Sequence, residues 1–390
     1  MNEQITTLAS LTIDGKGSYG IGASAVPFSK DLYTYLRITD IKDDGTLNLQ
    51  DLKSVDDVKA SEYLLKPNDI VFARTGASTG RNYFYDGTDG EFVYAGFLIK
   101  FSIDEKKVNP KYIKYFCQSK QYKDWINSFN TGSTRGNINA QTLGKMPIPL
   151  IERKTQDALV SIISSIDEKI KKNNAINNNL LQQLHVLYLR LFCESAMDTP
   201  LGDVVATTSG GTPSRKHDEY YSDSSICWVK SKELLGNYIH ETEEHINDLA
   251  IKKSSAKLLP EHSVLIAMYG ATVGAYGVIS KPMTCNQAVC ALLCNENYPY
   301  TYLFQIAYES QQKFINLAVG SAQQNISQVL IKQLNLHSDL DIIQRFHDLA
   351  LPMHQEIEFL QAENIRLSDL RDNLLPKLMS GELDVSNIDL

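Results

Sequence analysis

The chain is written twice, and this constrains its fold more than any motif it contains. An offset of 193 residues places Leu8 on Leu201, Tyr35 on Trp228, Arg37 on Lys230 and Pro67 on Pro260. At an offset of 194, Ala73-Arg-Thr-Gly76-Ala-Ser-Thr-Gly80 falls on Ala267-Met-Tyr-Gly270-Ala-Thr-Val-Gly274. The offset then drops to 188, where Gly132-Ser133-Thr-Arg-Gly-Asn137-Ile138 meets Gly320-Ser321-Ala-Gln-Gln-Asn325-Ile326 and Gln156 meets Gln344. The order of matches never breaks. Two copies of so long a unit make a tandem duplication, since a solenoid needs several short repeats that cannot bury a face alone.

Each copy follows one plan. Strand-like runs, such as Asp69-Ile-Val-Phe-Ala-Arg and His262-Ser-Val-Leu-Ile-Ala-Met, alternate with glycine-rich turns. A helical patch follows, Pro110 to Phe129 in one copy and Pro299 to Leu317 in the other, then the Gly-Ser loop and a long helical stretch. In the first such stretch, Glu152 to Glu194, the residues Leu159, Ile163, Ile166, Ile170, Asn173, Asn177, Leu180, Leu184, Leu187 and Leu191 keep a strict 4-3-4-3 spacing. That is a heptad seam. The second stretch runs from about Asp341 to Met379, with Phe346, Leu349, Met353, Ile357, Leu360, Asn364, Leu367, Leu374 and Leu378 on its seam. Its register is irregular near Met353, Arg371 sits on the seam, and Pro352 is expected to divide it.

At 1.5 Å per residue the first helix would span roughly 60 Å, and a one-sided helix of that length needs a partner. Polar Asn at mid-seam fixes register at some cost in stability. The spacing therefore predicts Asn364 close to Asn173 or Asn177 across an antiparallel pair. The expected fold is α+β: two tandem domains of mixed strands with small helices, separated by two long helices forming an antiparallel coiled coil, in pseudo-two-fold relation. The boundaries read as 1–150, 151–196, 197–340 and 341–390.

No apolar run approaches the roughly 20 residues of a membrane span, and Met1 to Ser10 lacks the pattern of a signal peptide. A cytoplasmic protein with no membrane partner is expected. The six cysteines include no CxxC pair, and Cys285, Cys290 and Cys294 flank apolar residues typical of a buried strand, so reduced thiols are favoured over zinc. The net charge is −8, yet residues 1–150 carry 18 Lys/Arg against 17 Asp/Glu, while 341–390 carry 4 against 10. Such a chain does not coat nucleic acid indiscriminately; any affinity must come from local patches or from a partner's charge.

Catalytic chemistry is hard to find. Gly15-Lys-Gly17-Ser-Tyr-Gly20 matches GxGxxG with Asp40 twenty residues on, but Ile21 to Pro27 cannot open a helix, so the segment reads as a turn. There is no Walker A sequence, and Asn297-Tyr-Pro-Tyr300 lacks the pattern of an amine-methylating pocket. Asp104 to Lys107 reads as a solvated turn, Asp167 to Lys169 as a helix face, and His240 and His245 as surface residues. No catalytic residue and no metal ligand is assigned.

The loops that recur have the chemistry of a DNA reader. Arg74, Thr75, Gly76, Ser78 and Arg81 place two guanidiniums on a loop of small residues, and Ser133, Thr134, Arg135 and Asn137 add a third with hydroxyl and amide groups. Arg pairs with guanine edges and Asn or Gln with adenine edges, while hydroxyls and backbone N–H groups hold phosphates. The second copy offers Tyr269 and Thr272, then Ser321, Gln323, Gln324 and Asn325. Arg-rich and Gln-rich loops suggest different half-sites. Arg37 and Lys230 could reach phosphate, and the polar turn Ser209, Thr212, Ser214, Arg215 is a further candidate contact. Gly76, Gly80, Gly270 and Gly274 either admit a phosphate closely or only shape hairpins; both readings stand. Tyr35 and Trp228 read as core.

In this order and doubled, the features resemble the specificity (S) subunit of type I restriction-modification systems. The resemblance rests on the domain–helix–domain–helix plan, the Ser-Gly-Gly-Thr-Pro-Ser turn at 209–214, the paired glycine and Asn-Ile loops, and the ending Leu374-Leu-Pro-Lys-Leu-Met-Ser-Gly-Glu-Leu383. The first copy departs from the turn, offering Asp14-Gly-Lys-Gly-Ser18 instead. The resemblance implies two target-recognition domains, each reading half of a bipartite site on double-stranded DNA, with helices that set spacing and dock two modification (methyltransferase) subunits. It implies a non-catalytic chain that binds no cofactor itself, S-adenosylmethionine, ATP and Mg lying on the modification and restriction (translocase/nuclease) subunits. Two other readings remain: a nuclease fused to a specificity-like domain, and a tandem adaptor for ligands other than DNA.

Overall fold

The computed structural model describes residues 4–49, 51–129, 137–319, 325–383 and 385. Its contacts divide the chain into two units, Met1–Lys169 with Leu367–Leu390, and Ile170–Arg366. The division falls inside the two long helices, so each unit keeps one stretch of both.

In the first unit, strand Gln4–Thr7 pairs with Pro147–Leu150 and closes the domain. Between them lies an antiparallel sheet in the order Ser18–Tyr19, Leu98–Ser102, Asp69–Ala73, Asn82–Tyr85. A second sheet runs Ala25–Pro27, Lys53–Val55, Thr34–Leu36, Phe92–Tyr94, its last pair parallel. All five residues of Asp69–Ala73 are buried, as expected of a short apolar run covered on both faces. Helix Pro110–Phe116 starts with Asn109 capping the Lys111 N–H and Pro at its first turn. It buries Tyr112, Ile113, Tyr115 and Phe116 in a core shared with Phe72 and Phe101.

The second unit repeats the plan. Strand Met197–Pro200 pairs with Asn335–His337, and the main sheet runs Ala206–Ser209, Val289–Leu293, Val264–Ala267, Tyr276–Ile279, Asn237–Ile239. The smaller sheet is His245–Ile246, Ile226–Val229, Thr284–Cys285, again ending on a parallel pair. Asn68 and His262 occupy the same turn, both with positive φ (73° and 61°). This places Lys66, not Pro67, opposite Pro260, because the hydrogen bonds Asp69 N to Lys66 O and Ser263 N to Pro260 O are equivalent. Burial holds the thiols of Cys285, Cys290 and Cys294 up at about 12, as expected of small apolar groups in a sheet.

The long helices are Arg153–Phe192 and Leu340–Met379. In the first unit Leu159, Val160 and Ile163 share a core with Leu375, Leu378 and Met379. In the second, Leu184, Tyr188 and Phe192 pack with Phe346, Ala350 and Ile357, and the ring centroids of Phe192 and Phe346 lie 5.9 Å apart. Residue 192 meets 346 while 173 meets 364, so the pair is antiparallel. Two expectations are corrected. Pro352 does not divide the second helix, which runs unbroken through it. Proline in a helix costs about 3 kcal/mol, a cost offset here by Phe346, Ala350 and Ile357, buried on either side of it. Leu349 is 47% exposed and leaves the seam to Ala350 and His354, both fully buried. No helix among the described residues is long and apolar enough to cross a membrane.

Candidate nucleic-acid interface

Both units build one loop junction by the same hydrogen bonds. In the first, the turn after Asp69–Ala73 closes with Gly80 N to Ala73 O (2.9 Å) and Arg81 N to Ser78 O (2.9 Å). In the second, Gly274 N donates to Ala267 O (3.0 Å) and Ala275 N to Thr272 O (2.9 Å). The distant Asn-Ile segment then docks on this turn. Thr75 bridges Asn137 and Tyr269 bridges Asn325, while Ile138 N reaches Arg74 O and Ile326 N reaches Met268 O, each at 2.9 Å. The left-handed φ of Gly76 (73°) and Gly80 (88°) is what glycine supplies. A Cβ at Gly80 would lie 2.4 Å from Ile126 Cγ2, whereas one at Gly76 would meet nothing within 4 Å among the described residues. Gly80 is therefore a packing glycine, and Gly76 leaves an open approach to the backbone.

What the shared junction carries differs. In the first unit the Arg74 guanidinium lies 5.3 Å from the Tyr19 ring centroid and 5.7 Å from that of Phe97. Its Nη1 lies 3.5 Å from Asn137 Oδ1, and its Nε donates to Gly96 O at 3.3 Å. Tyr19 and Phe97 are 44% and 56% exposed, so a cation between two open aromatic rings and an amide form one surface. Arg81 and Arg37 are differently employed. Asp43 binds Arg81 with both oxygens (2.7 and 3.1 Å). Asp40 does the same to Arg37 (3.0 and 2.6 Å), which raises the arginine's pKa, and the Asp51 carbonyl takes a further bond. Ser78 is buried. Ser133, Thr134 and Arg135 lie outside the described residues, as do Ser321, Gln323 and Gln324.

The second unit is polar where the first is cationic. Tyr269 is 42% exposed beside Asn325, and Thr272 Oγ1 donates to the Tyr269 carbonyl (3.2 Å). Ser209 Oγ donates to Gln328 Oε1 (3.2 Å), and Gln328 Nε2 to Thr207 Oγ1 (2.8 Å). Thr212 is hydrogen-bonded to Gln287, and Ser214 Oγ accepts from Lys216 N (3.4 Å). Arg215 and Lys230 converge on Glu244; the Lys230 hydrogen bond, then that of Arg215, holds its carboxyl below the ordinary range. Arg215 also lies over the rings of Tyr221 (4.4 Å) and Trp228 (5.5 Å).

The polar turn has a counterpart in the first unit, and it is not Asp14 to Ser18. Gly20 N bonds Leu98 O (3.2 Å) and Ile21 N bonds Tyr94 O (3.1 Å), as Gly210 N bonds Val289 O (3.2 Å) and Gly211 N bonds Cys285 O (2.9 Å). A Cβ would fall 2.2 Å from Tyr94 O at Gly20 and 2.1 Å from Cys285 O at Gly210, so only glycine fits either place. Buried Tyr35 and Trp228 hold these turns, the hydroxyl donating to Ile21 O and the indole to Gly211 O, each at 3.0 Å. Tyr19, Phe97, Gln287 and Gln328 were missed at the sequence level. The signal for Tyr19 was its place just before Gly20, matching Ser209 before Gly210.

A family described as type I restriction modification DNA specificity domain matches residues 30–182 and again 195–337. The type I restriction enzyme MjaIX specificity subunit of Methanocaldococcus jannaschii is 24% identical over 73% of this chain and 72% of its own. The HindI specificity subunit of Haemophilus influenzae is 20% identical over 82% of this chain and 87% of its own. The crystal structure of a type I restriction-modification S subunit from M. genitalium aligns over 97% of this chain and 96% of its own, with a TM-score of 0.60 at 15% identity. That likeness shows the fold. The family match covers most of the chain, once for each copy of the duplication. The chain belongs to the type I restriction modification DNA specificity family.

Proposed function

We propose that each unit reads one half of a bipartite duplex DNA target, and that the chain itself carries out no chemistry. The observation that carries this reading is the shared junction with unlike side chains: Arg74, Thr75 and Asn137 in one unit, Met268, Tyr269 and Asn325 in the other. A common scaffold with divergent contents is what two half-sites require. Arg74 between Tyr19 and Phe97 suits a guanine edge or a phosphate, while Asn325, Gln328 and Gln287 suit adenine edges. The long helices set the spacing and dock two modification subunits, with restriction subunits joining that complex. S-adenosylmethionine, ATP and Mg are bound by those partners.

Methylation mapping of DNA from cells carrying this chain with its modification partner tests the reading. A bipartite adenine-methylated motif is expected, and Arg74→Ala should alter recognition in one half alone. A single continuous motif, or loss of both halves together, would overturn it. Binding to duplex DNA should also weaken steeply with salt, as phosphate neutralisation demands.

A further inference from the structure

The second unit brings together a thiol, a carboxylate and an imidazole that the sequence scatters. Cys227 and His245 are direct cross-strand partners in the pair Ile226–Val229 with His245–Ile246, so their side chains leave the same face. Cys227 Sγ donates to Glu241 Oε1 at 3.1 Å, and His245 Nε2 is hydrogen-bonded to that same oxygen. The three ligand atoms all lie within 4.8 Å of one another, the one such group of His, Cys, Asp or Glu among the described residues. The geometry points to a zinc site made by Cys227 Sγ, Glu241 Oε1 and His245 Nε2.

Four observations support it. A tetrahedral zinc with bonds of roughly 2.0–2.3 Å needs ligand atoms roughly 3.3–3.8 Å apart, a small movement from the present spacing. Thiolate, imidazole and carboxylate together are donors that zinc accepts and that magnesium or calcium do not select. The two carboxylate oxygens of Glu241 are already divided, with Oε1 toward Cys227 and His245 and Oε2 held by Lys281 Nζ at 3.1 Å. Once the protons that Cys227 and His245 give to Oε1 are displaced, that oxygen can ligate while the other stays oriented by a second group, as ligating carboxylates are. The first unit, built on the same strands, pairs Thr34 with Ser54 at this register, so the scaffold does not require Cys and His there.

The charges and protons balance. Binding releases the Cys227 thiol proton to solvent, and the imidazole proton that Nε2 gives to Glu241 Oε1 passes through solvent to Nδ1, which frees the Nε2 lone pair for the metal. Thiolate and carboxylate then neutralise the dication, and Lys281 keeps its pairing with Oε2. The segment so clamped is pinned already by Trp228 N to Glu244 O (3.1 Å) and Thr242 Oγ1 to Glu244 O (2.7 Å). It carries Glu244, which seats both Arg215 and Lys230. Zinc here would order the piece of chain that fixes those two cations, a structural role independent of what the unit reads.

Cobalt(II) titration of the metal-free full chain, with elemental analysis of the zinc form, tests this. One equivalent per chain and a sulfur-to-cobalt charge-transfer band are expected, the band absent in Cys227→Ser and unchanged in Cys193→Ser. Glu241→Gln alters a half-exposed side chain and should keep the fold while weakening metal binding at least tenfold. No stoichiometric binding, a band that survives Cys227→Ser, or unchanged affinity in a folded Glu241→Gln chain would each overturn the site.

Discussion

Asn173 Nδ2 donates to Asn364 Oδ1 at 2.9 Å across the antiparallel helix pair of the second unit. The same nitrogen reaches Glu363 Oε2 at 2.6 Å, and Asn364 Nδ2 donates to Asn174 Oδ1 at 2.9 Å. Asn173 is fully buried, and its Oδ1 has no hydrogen-bond partner among the described residues. A buried acceptor left open lowers stability, so the pair is better explained by register than by strength. Asn173→Ala should destabilise by about 1–3 kcal/mol. The double change Asn173→Leu with Asn364→Leu should recover that loss, or exceed it, in denaturant unfolding. If the double variant is as unstable as the sum of its single variants, the two residues do not act as a pair.

The seam was legible in the sequence because a heptad period survives any tertiary context. Asn173 and Asn364 could be named from it. Its failures are local and physical. Pro352 breaks an isolated helix, but the neighbouring seam residues hold this one, and only three-dimensional packing shows that. Leu349 fits the period but yields to His354, whose burial depends on Tyr238 of a different element. The candidate interface shows the same division. The turn-to-Asn junction follows from doubled motifs, which name Arg74, Asn137, Tyr269 and Asn325. That Arg37 and Arg81 are bound by Asp40 and Asp43 was not legible, because loop conformation decides which carboxylate meets which cation.

His354 should make the second unit sensitive to acid. It is fully buried, its Nδ1 shares a hydrogen bond with the Tyr238 hydroxyl (2.7 Å), and the rings of Tyr300 and Phe304 flank it at 5.7 and 5.2 Å. Burial, then repulsion from His347 and His262, pushes its pKa down to about 3. The unfolded chain therefore takes up a proton below about pH 6.5 that the folded one refuses, and folding loses about 1.4 kcal/mol per pH unit there until the folded pKa is reached. His262, raised by the Glu358 carboxylate 3.4 Å from its Nε2, acts in the opposite sense, so the comparison must be with His354→Leu. Wild type should lose stability against that variant as pH falls from 6.5 toward 4. Parallel unfolding midpoints across this range would refute the assignment.

Two glycines of one turn should respond differently to alanine. Among the described residues Gly76 has only its φ of 73° against it, a cost of about 1–2 kcal/mol. Gly80 adds the 2.4 Å clash with Ile126 to a φ of 88°. Thermal unfolding should thus rank Gly80→Ala well below Gly76→Ala, with the latter still folded enough to assay on DNA.

Arg74 and Arg81 make the sharpest contrast for recognition. Arg74 keeps its guanidinium between two exposed rings, and among the described residues it bonds only to Gly96 O and Asn137 Oδ1, both at the long end of the range. Arg81 gives three of its nitrogens to Asp43 and Ile41 O. A base-reading arginine contributes about 1–3 kcal/mol of discrimination, so Arg74→Ala should weaken binding to the cognate duplex roughly tenfold or more, at one half-site only. Arg74→Lys should rescue little, because an ammonium cannot bind a guanine edge with two parallel bonds or stack flat on Tyr19 and Phe97. Arg81→Ala should change DNA affinity less and unfolding more, since its partners lie within the unit. Binding measured at two salt concentrations separates the roles. A phosphate contact at Arg74 would flatten the salt slope and weaken all sequences alike, whereas a base contact would leave the slope and lose the distinction between half-site variants.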